Sequence, residues 1–116
     1  MNPIIKLYHG YANNQELIVM GHVFKPSDKA NYDFEKTNFR NARSIIHLFQ
    51  LKTIPNQSIF LELNGEVIET KTLDDGYFKF CIPFEKNIEN GWHEYVVFMP
   101  YNQEKIESHS SFIKPP

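Results

Sequence analysis

Histidine is the side chain with the widest chemical use here, and its spacing decides whether a metal or catalytic site could form. The five histidines are His9, His22, His47, His93 and His109. No two of them have the i, i+4 spacing that places two ligands on one helix face, and Cys81 is the single cysteine. His22 and His93 could approach each other across strands, but no nearby carboxylate pattern supports a site. We therefore predict no metal site in this chain.

Serine and histidine occur together near the C-terminal end, where Ser108, Ser110 and Ser111 surround His109. A nucleophilic serine usually lies on a strained turn such as Gly-x-Ser-x-Gly, and the cluster lacks that motif. Serines at these positions are typical of an exposed edge strand. The pattern therefore predicts no catalytic residue.

Asp74 and Asp75 are adjacent carboxylates that could hold a cation or form a turn. A calcium-binding loop needs acidic residues at alternating positions and a distal glutamate, and these are absent. We predict instead a hairpin turn at Asp74-Asp75-Gly76, in which an aspartate side chain accepts a hydrogen bond from its own backbone.

The segment Tyr8-His9-Gly10-Tyr11 places two tyrosines around a glycine where a first strand should end. One interpretation is a tight turn at Gly10, with both rings packed over the sheet edge. The other is a contact patch for a neighbouring domain, because aromatic residues are enriched at interface cores. Both stay open. We take Tyr8, His9, Gly10 and Tyr11 as the candidate interdomain patch, and expect it to be partly exposed at one end of the fold.

Composition restricts the class of protein. The chain has 116 residues, a length suited to one domain, and 12 basic against 14 acidic residues give a net charge of −2. Without a broad basic surface, we predict no nucleic-acid partner. The single cysteine allows no intrachain disulfide, and residues 1–6 lack a signal-peptide pattern, so we expect a cytoplasmic protein. Cys81, between Phe80 and Ile82, is predicted to be buried.

Hydrophobic periodicity predicts strands along most of the chain. Residues 16–25 are apolar on both faces, which favours a central strand, and Gly21 there could admit a close backbone approach. Residues 59–64 alternate with period two, and Asn64-Gly65 is a strong hairpin signal. Further strands are predicted over residues 77–82, 92–99 and 105–113. The predicted core contains Val19, Val23, Ile46, Phe49, Leu61, Leu63, Phe78, Phe80, Trp92 and Val97.

One segment has helical periodicity. Phe39, Ala42, Ile46 and Phe49 share an apolar stripe, and Pro55 should end the helix. Its basic residues could form an ordinary solvated face or contact a phosphate-bearing membrane surface. The predicted fold is therefore an all-β antiparallel sandwich of about seven strands, immunoglobulin- or transthyretin-like, with one inserted α-helix near residues 38–53.

Four segments together resemble the N-terminal, non-catalytic domain of the actin-patch-protein family of phosphatidate phosphatases. Residues 8–11 are similar to the family's Tyr-x-Gly-Tyr opening, and residues 19–24 to its Val-x-Gly-Arg-Val-Leu strand, with His22 in place of arginine. A helical insertion holding Asn41-Ala42-Arg43 follows. Residues 73–78 are similar to a Thr-Asp-x-x-Gly-x-Phe element, with the threonine displaced to Thr72.

The resemblance implies an accessory role. In that family a following haloacid-dehalogenase-like domain carries the Asp-x-Asp-x-Thr motif, binds magnesium and removes phosphate from phosphatidate. That motif is absent here. We therefore expect that this chain is not itself an enzyme and that it holds no cofactor. Residues 1–113 would form the accessory domain, and residues 114–116 would begin a linker to the downstream domain. The expected partner is that downstream domain, and a membrane lipid surface is a second candidate partner. The alternative is a stand-alone β-sandwich binding module for a protein or glycan.

Overall fold

The computed structural model describes residues 2–8, 10–25, 52–84 and 88–116, and the regular elements in these ranges are all β-strands. Seven of the nine strands are four residues or longer. The strands are β1 (Ile4–Leu7), β2 (Tyr11–Ala12), β3 (Glu16–Lys25), β4 (Lys52–Thr53), β5 (Ser58–Leu63), β6 (Glu66–Lys71), β7 (Tyr77–Pro83), β8 (Gly91–Tyr101) and β9 (Glu104–Lys114).

The strands form two antiparallel sheets. In sheet A, β3 is central: β1 and β2 pair with one of its edges, and β4 and β7 pair with the other. Sheet B has the order β6-β5-β8-β9, which makes β9 an edge strand as its serines predicted. The prediction of an all-β fold with two antiparallel layers is confirmed for the described residues.

Strand β3 is buried on both of its faces, as its two apolar rows predicted. Every residue from Leu17 to Phe24 except Met20 is buried. Gly21 permits the close pairing of β1, because a Cβ atom there would overlap the Lys6 carbonyl oxygen and lie 2.6 Å from the ring of Phe78. The glycine is therefore a packing requirement of the sheet.

The core lies between the inner faces of the two sheets. Sheet A contributes alternate residues of β3 and β7, and sheet B contributes alternate residues of β5 and β8, as period two requires. Of the predicted core, the structure confirms Val19, Val23, Leu61, Leu63, Phe78, Phe80 and Val97.

The predicted burial of Trp92 and of Cys81 is wrong. Trp92 is 72% exposed, because Tyr95, Val97 and Met99 point inward and a strand residue of opposite parity points outward. Cys81 is exposed for the same reason, since its neighbours Phe80 and Ile82 take the inner face of β7.

The predicted helix over residues 38–53 is wrong at its C-terminal end, because Lys52 and Thr53 pair with Lys25 and Phe24 as strand β4. Residues 38–51, with the predicted core residues Ile46 and Phe49, lie outside the described ranges. The described residues contain no helix. The last strand reaches Lys114, one residue into the segment predicted to begin a linker.

The turns follow the local sequence signals. Asn64 and Gly65 both have positive φ values, 52° and 81°, as the hairpin between β5 and β6 requires. Asn102 and Gln103 also have positive φ values in the tight turn between β8 and β9. The turn at residues 74–76 is present, but it connects β6 of sheet B to β7 of sheet A, so the prediction of a hairpin there is wrong.

Replacing Phe80 by alanine tests the core. Phe80 is 2% exposed, so Phe80→Ala should lower the free energy of unfolding by about 3–5 kcal/mol in denaturant titration. The neighbouring Cys81→Ala, at an exposed position, should change it by less than about 0.5 kcal/mol. A loss under about 1 kcal/mol for Phe80→Ala would contradict its placement in the core.

Gly21→Ala tests the close approach of β1 to β3. The added Cβ meets backbone rather than a flexible side-chain end, so we expect a loss of about 1–3 kcal/mol. Amide hydrogen exchange should accelerate in β1 and remain unchanged between β5 and β6. Uniform acceleration in both sheets, or none in β1, would show that the glycine is not required for this pairing.

Candidate functional site

The N-terminal edge of sheet A positions the four residues of the candidate patch. β1 pairs with the C-terminal half of β3 and β2 with its N-terminal half, so a break in the pairing along this edge separates Leu7 from Tyr11. The Tyr8 amide still donates a 2.9 Å hydrogen bond to the Met20 carbonyl. Gly10 is buried, and a Cβ atom there would lie 2.8 Å from the Tyr95 hydroxyl, so this break packs directly against a side chain of sheet B.

The two tyrosines of the patch have different surroundings. Tyr11 pairs with Ile18 at the edge and is 55% exposed. Tyr8 is half-buried, and its hydroxyl lies 2.6 Å from Nδ1 of His22. The described residues include no ring contact between Tyr8 and Tyr11, and His9 lies outside the described ranges.

The surroundings of the Tyr8 hydroxyl keep it in its protonated form. Burial raises the pKa of Tyr8 to about 12, with smaller contributions from the Asp75 charge and from Tyr77. The phenol is therefore protonated at neutral pH, so its hydroxyl can donate a hydrogen bond to Nδ1 of His22. A tyrosine with so high a pKa is a poor general base or nucleophile, so its role here is that of a hydrogen-bond donor.

His22 lies inside a group of aromatic rings on the outer face of sheet A. Its ring is stacked on Phe24, with centroids 5.7 Å apart, and meets Tyr8 and Tyr77 edge to face at 5.5 and 5.3 Å. Its Nε2 atom is 3.7 Å from Oδ2 of Asp75. We call His22, Tyr8, Phe24, Tyr77 and Asp75 the His22 cluster.

The turn before β7 brings Asp75 to this cluster. The Gly76 amide donates to the Leu73 carbonyl and the Leu73 amide to the Tyr77 carbonyl, which closes the turn. Oδ1 of Asp75 accepts a hydrogen bond from the Tyr77 amide at 3.1 Å, as predicted for an aspartate in a turn. The Val23 amide then donates to the Gly76 carbonyl, so the turn is bonded to β3 beside His22.

The other groups singled out for chemistry do not assemble a catalytic centre in the described part of the chain. His109 is bonded to Glu107 at 2.9 Å on the outer face of sheet B, and the structure shows no contact between it and a serine hydroxyl. His93 is in sheet B and stacks on Phe112, whereas His22 is in sheet A, so the two histidines that could have met across strands lie in different sheets. Within the described ranges, no three histidine, cysteine or acidic side chains are grouped as metal ligands.

Comparisons with protein-family models, with curated proteins and with solved structures found no significant match for this chain. Among the described residues there is also no helix long and apolar enough to cross a membrane. The geometry of the chain itself is therefore what bears on its function.

Sequence reasoning missed the meeting of His22 with Asp75. The two residues are far apart in sequence, and they meet because β3 pairs with β7 so that His22 lies opposite Tyr77. Periodicity identifies strands but does not say which strands pair. The sequence did contain one signal, the aspartate turn immediately before a strand. A turn in that position places a carboxylate beside the neighbouring strand of the sheet.

The raised pKa of Tyr8 gives a prediction for alkaline pH. The fold favours the phenol form, so its contribution to stability is complete below pH 10 and is lost as the pH rises towards about 12. In a spectrophotometric titration, the phenolate signal that appears near pH 12 should be reduced in Tyr8→Phe and retained in Tyr11→Phe. Burial also raises the pKa of Tyr95, so some late-ionising signal should remain in every variant.

The stability of the same variants provides the second readout. Between pH 10 and pH 12 the free energy of unfolding should fall more steeply for the wild type than for Tyr8→Phe. Identical slopes for the two proteins would contradict the burial of the Tyr8 hydroxyl that raises its pKa.

Proposed function

We propose that this chain is a non-catalytic accessory domain of a larger phosphatidate phosphatase, and that its N-terminal edge docks on the magnesium-dependent catalytic domain. The observation that carries the proposal is the exposure of Tyr11, 55%, at the sheet edge that resembles the family's opening motif. Exposed tyrosines supply a large contact area at a small entropic cost, which suits them to interfaces.

The rigidity of this edge supports a docking role. Tyr8 is fixed by its bond to His22, and Gly10 is packed against Tyr95. Tyr11 directly follows Gly10 and pairs with Ile18 of β3, so little further ordering of its backbone is required when a partner binds. Preorganisation of this kind increases affinity because the cost of ordering the surface has already been met in folding.

The architecture is consistent with the proposed role. Two antiparallel sheets around one core agree with the immunoglobulin- or transthyretin-like sandwich that the resemblance implies. In this proposal the magnesium ion and the nucleophilic aspartate belong to the catalytic domain, the protein acts in the cytoplasm, and the accessory domain orients the catalytic domain on its lipid substrate.

A second candidate function is a stand-alone binding module for a protein or glycan. The observation that favours it is the exposure of Trp92, since an aromatic ring on a sheet surface is a common anchor for either ligand. The reading frame after Pro116 distinguishes the two: a phosphatase domain supports the first, and an immediate stop codon supports the second.

The docking proposal is tested with the polypeptide encoded downstream of Pro116. If it carries Asp-x-Asp-x-Thr, it is produced separately and its binding to the present chain is measured by calorimetry. Tyr11→Ser should weaken binding about tenfold or more, as expected for an interface anchor. The matched control is Val67→Ser, an apolar residue of similar exposure, 54%, on the other sheet, which should leave the affinity unchanged.

Three outcomes would overturn the proposal. The first is a downstream sequence without a phosphatase motif. The second is equal affinities for Tyr11→Ser and the wild type. The third is turnover of phosphatidate by the purified 116-residue chain with magnesium, at a rate that survives removal of contaminants.

A further inference from the structure

The outer face of sheet B is a second exposed surface, on the opposite side of the core from the His22 cluster. Paired residues of neighbouring strands point to the same face, and Leu61 and Val97 are buried on the inner one. The outer face therefore carries the residues that alternate with these buried ones along each strand. On β5 and β8 these are Phe60, Glu62, Trp92, Glu94, Val96 and Phe98.

This face exposes an unusual amount of apolar surface. Trp92 and Ile113 are directly paired across β8 and β9, and they are 72% and 53% exposed. In the middle of the sheet the rings of Phe60 and Phe98 are stacked, with centroids 5.3 Å apart. An extended apolar surface of this kind usually marks an interaction site.

The charged side chains of the same face are mainly acidic. The register places Glu62, Glu69, Glu94 and Glu107 on it, against the bases Lys71 and Lys105. Glu107 is already paired, at 3.0 Å with Lys105 and at 2.9 Å with His109. Glu62 and Glu94 form no ion pair with another described residue, and they lie at the end of the face nearer to Trp92.

A depression lies between Trp92 and the phenylalanine pair. Its volume is about 480 Å³, and its lining includes Glu62, Glu94, Val96 and His109. Glu62 is opposite Val96, so Glu94 is its diagonal neighbour, about 7–8 Å away. Two carboxylates at this spacing, with Val96 beside them and the Trp92 indole two residues from Glu94 on the same strand, suit a side chain that is cationic at its tip and apolar along its stem.

We propose that the outer face of sheet B binds a basic polypeptide segment with alternating apolar residues, an arginine of which enters the depression between Glu62 and Glu94 beside Trp92. Arginine fits better than lysine, because its planar guanidinium can bond a carboxylate with two parallel N–H groups while stacking on the indole. The apolar residues of the segment would cover Ile113 and the Phe60–Phe98 pair.

The charge of the face argues against other occupants. Anionic lipid surfaces and nucleic acid would be repelled by the excess of carboxylates. A second copy of the chain would place the same acidic residues against themselves. This inference concerns a different surface from Tyr8 and Tyr11, so it is independent of the proposed accessory function.

The chain provides its own reporter, because Trp92 is its single tryptophan and lies on this face. The probe is a short peptide of alternating arginine and valine, and its control has glutamate in place of arginine. Addition of the arginine peptide should shift the tryptophan emission to shorter wavelength, because the indole becomes buried, and the glutamate peptide should leave it unchanged. High salt should weaken the effect, since charge attraction at the surface is screened.

Matched variants locate the peptide. Glu62→Gln and Glu94→Gln should each weaken binding about two- to fivefold, the range for a partly exposed ion pair. Glu16→Gln removes the same charge from β3 of sheet A and should have no effect. Trp92→Ala, followed by calorimetry, should weaken binding about tenfold or more.

The proposal is overturned if Glu16→Gln weakens binding as much as Glu94→Gln, since the attraction would then be a general property of the acidic chain. Equal binding of the two peptides would also overturn it. So would a tryptophan shift that depends on protein concentration in the absence of peptide and follows dimer formation in sedimentation, because the face would then be occupied by a second copy.

Discussion

The double burial of β3 is the constraint on which the rest of the structure depends. This strand pairs along both edges, and the residues from Leu17 to Phe24, except Met20, are buried whichever face they take. Its inner row fills the core shared with sheet B, and its outer row carries His22. A strand so enclosed cannot shift its register without moving a charged or polar group into the core, so the positions of everything paired with it are fixed.

The His22 cluster uses that fixed position to join two parts of the chain that are remote in sequence. Tyr8 follows β1 and Asp75 precedes β7, and both reach the imidazole from opposite edges of β3. Each ring nitrogen faces a different group, so the cluster ties both neighbouring segments to the central strand. A buried polar group is costly unless it is bonded, and the Tyr8 hydroxyl offsets part of that cost at Nδ1 of His22, while Nε2 lies 3.7 Å from the Asp75 carboxylate.

Local patterns were sufficient for much of the fold. The two-residue alternation of apolar side chains predicted β3, β5, β7 and β8. Asn64-Gly65 predicted a hairpin, because the turn needs positive φ values and these two residues adopt them readily. Trp92 and Cys81 were predicted to be buried because their side chains are apolar. The alternation of inward and outward residues along β8 and β7 already placed both of them on the outer faces. The pairing of β3 with β7, and with it the meeting of His22 and Asp75, depends on contacts distant in sequence that no local pattern contains.

The two exposed surfaces differ in chemistry in a way that bears on how such a domain could work. The edge near Tyr11 is aromatic and uncharged in its immediate residues, whereas the outer face of sheet B combines apolar rings with carboxylates. A surface of the first kind gains affinity from buried area, and one of the second kind gains selectivity and rate of association from charge. The first surface belongs to an edge of sheet A and the second to the outer face of sheet B, so they are formed by different residues. A domain with two such surfaces would, in the functions proposed above, bind one partner mainly through apolar area and another mainly through charge.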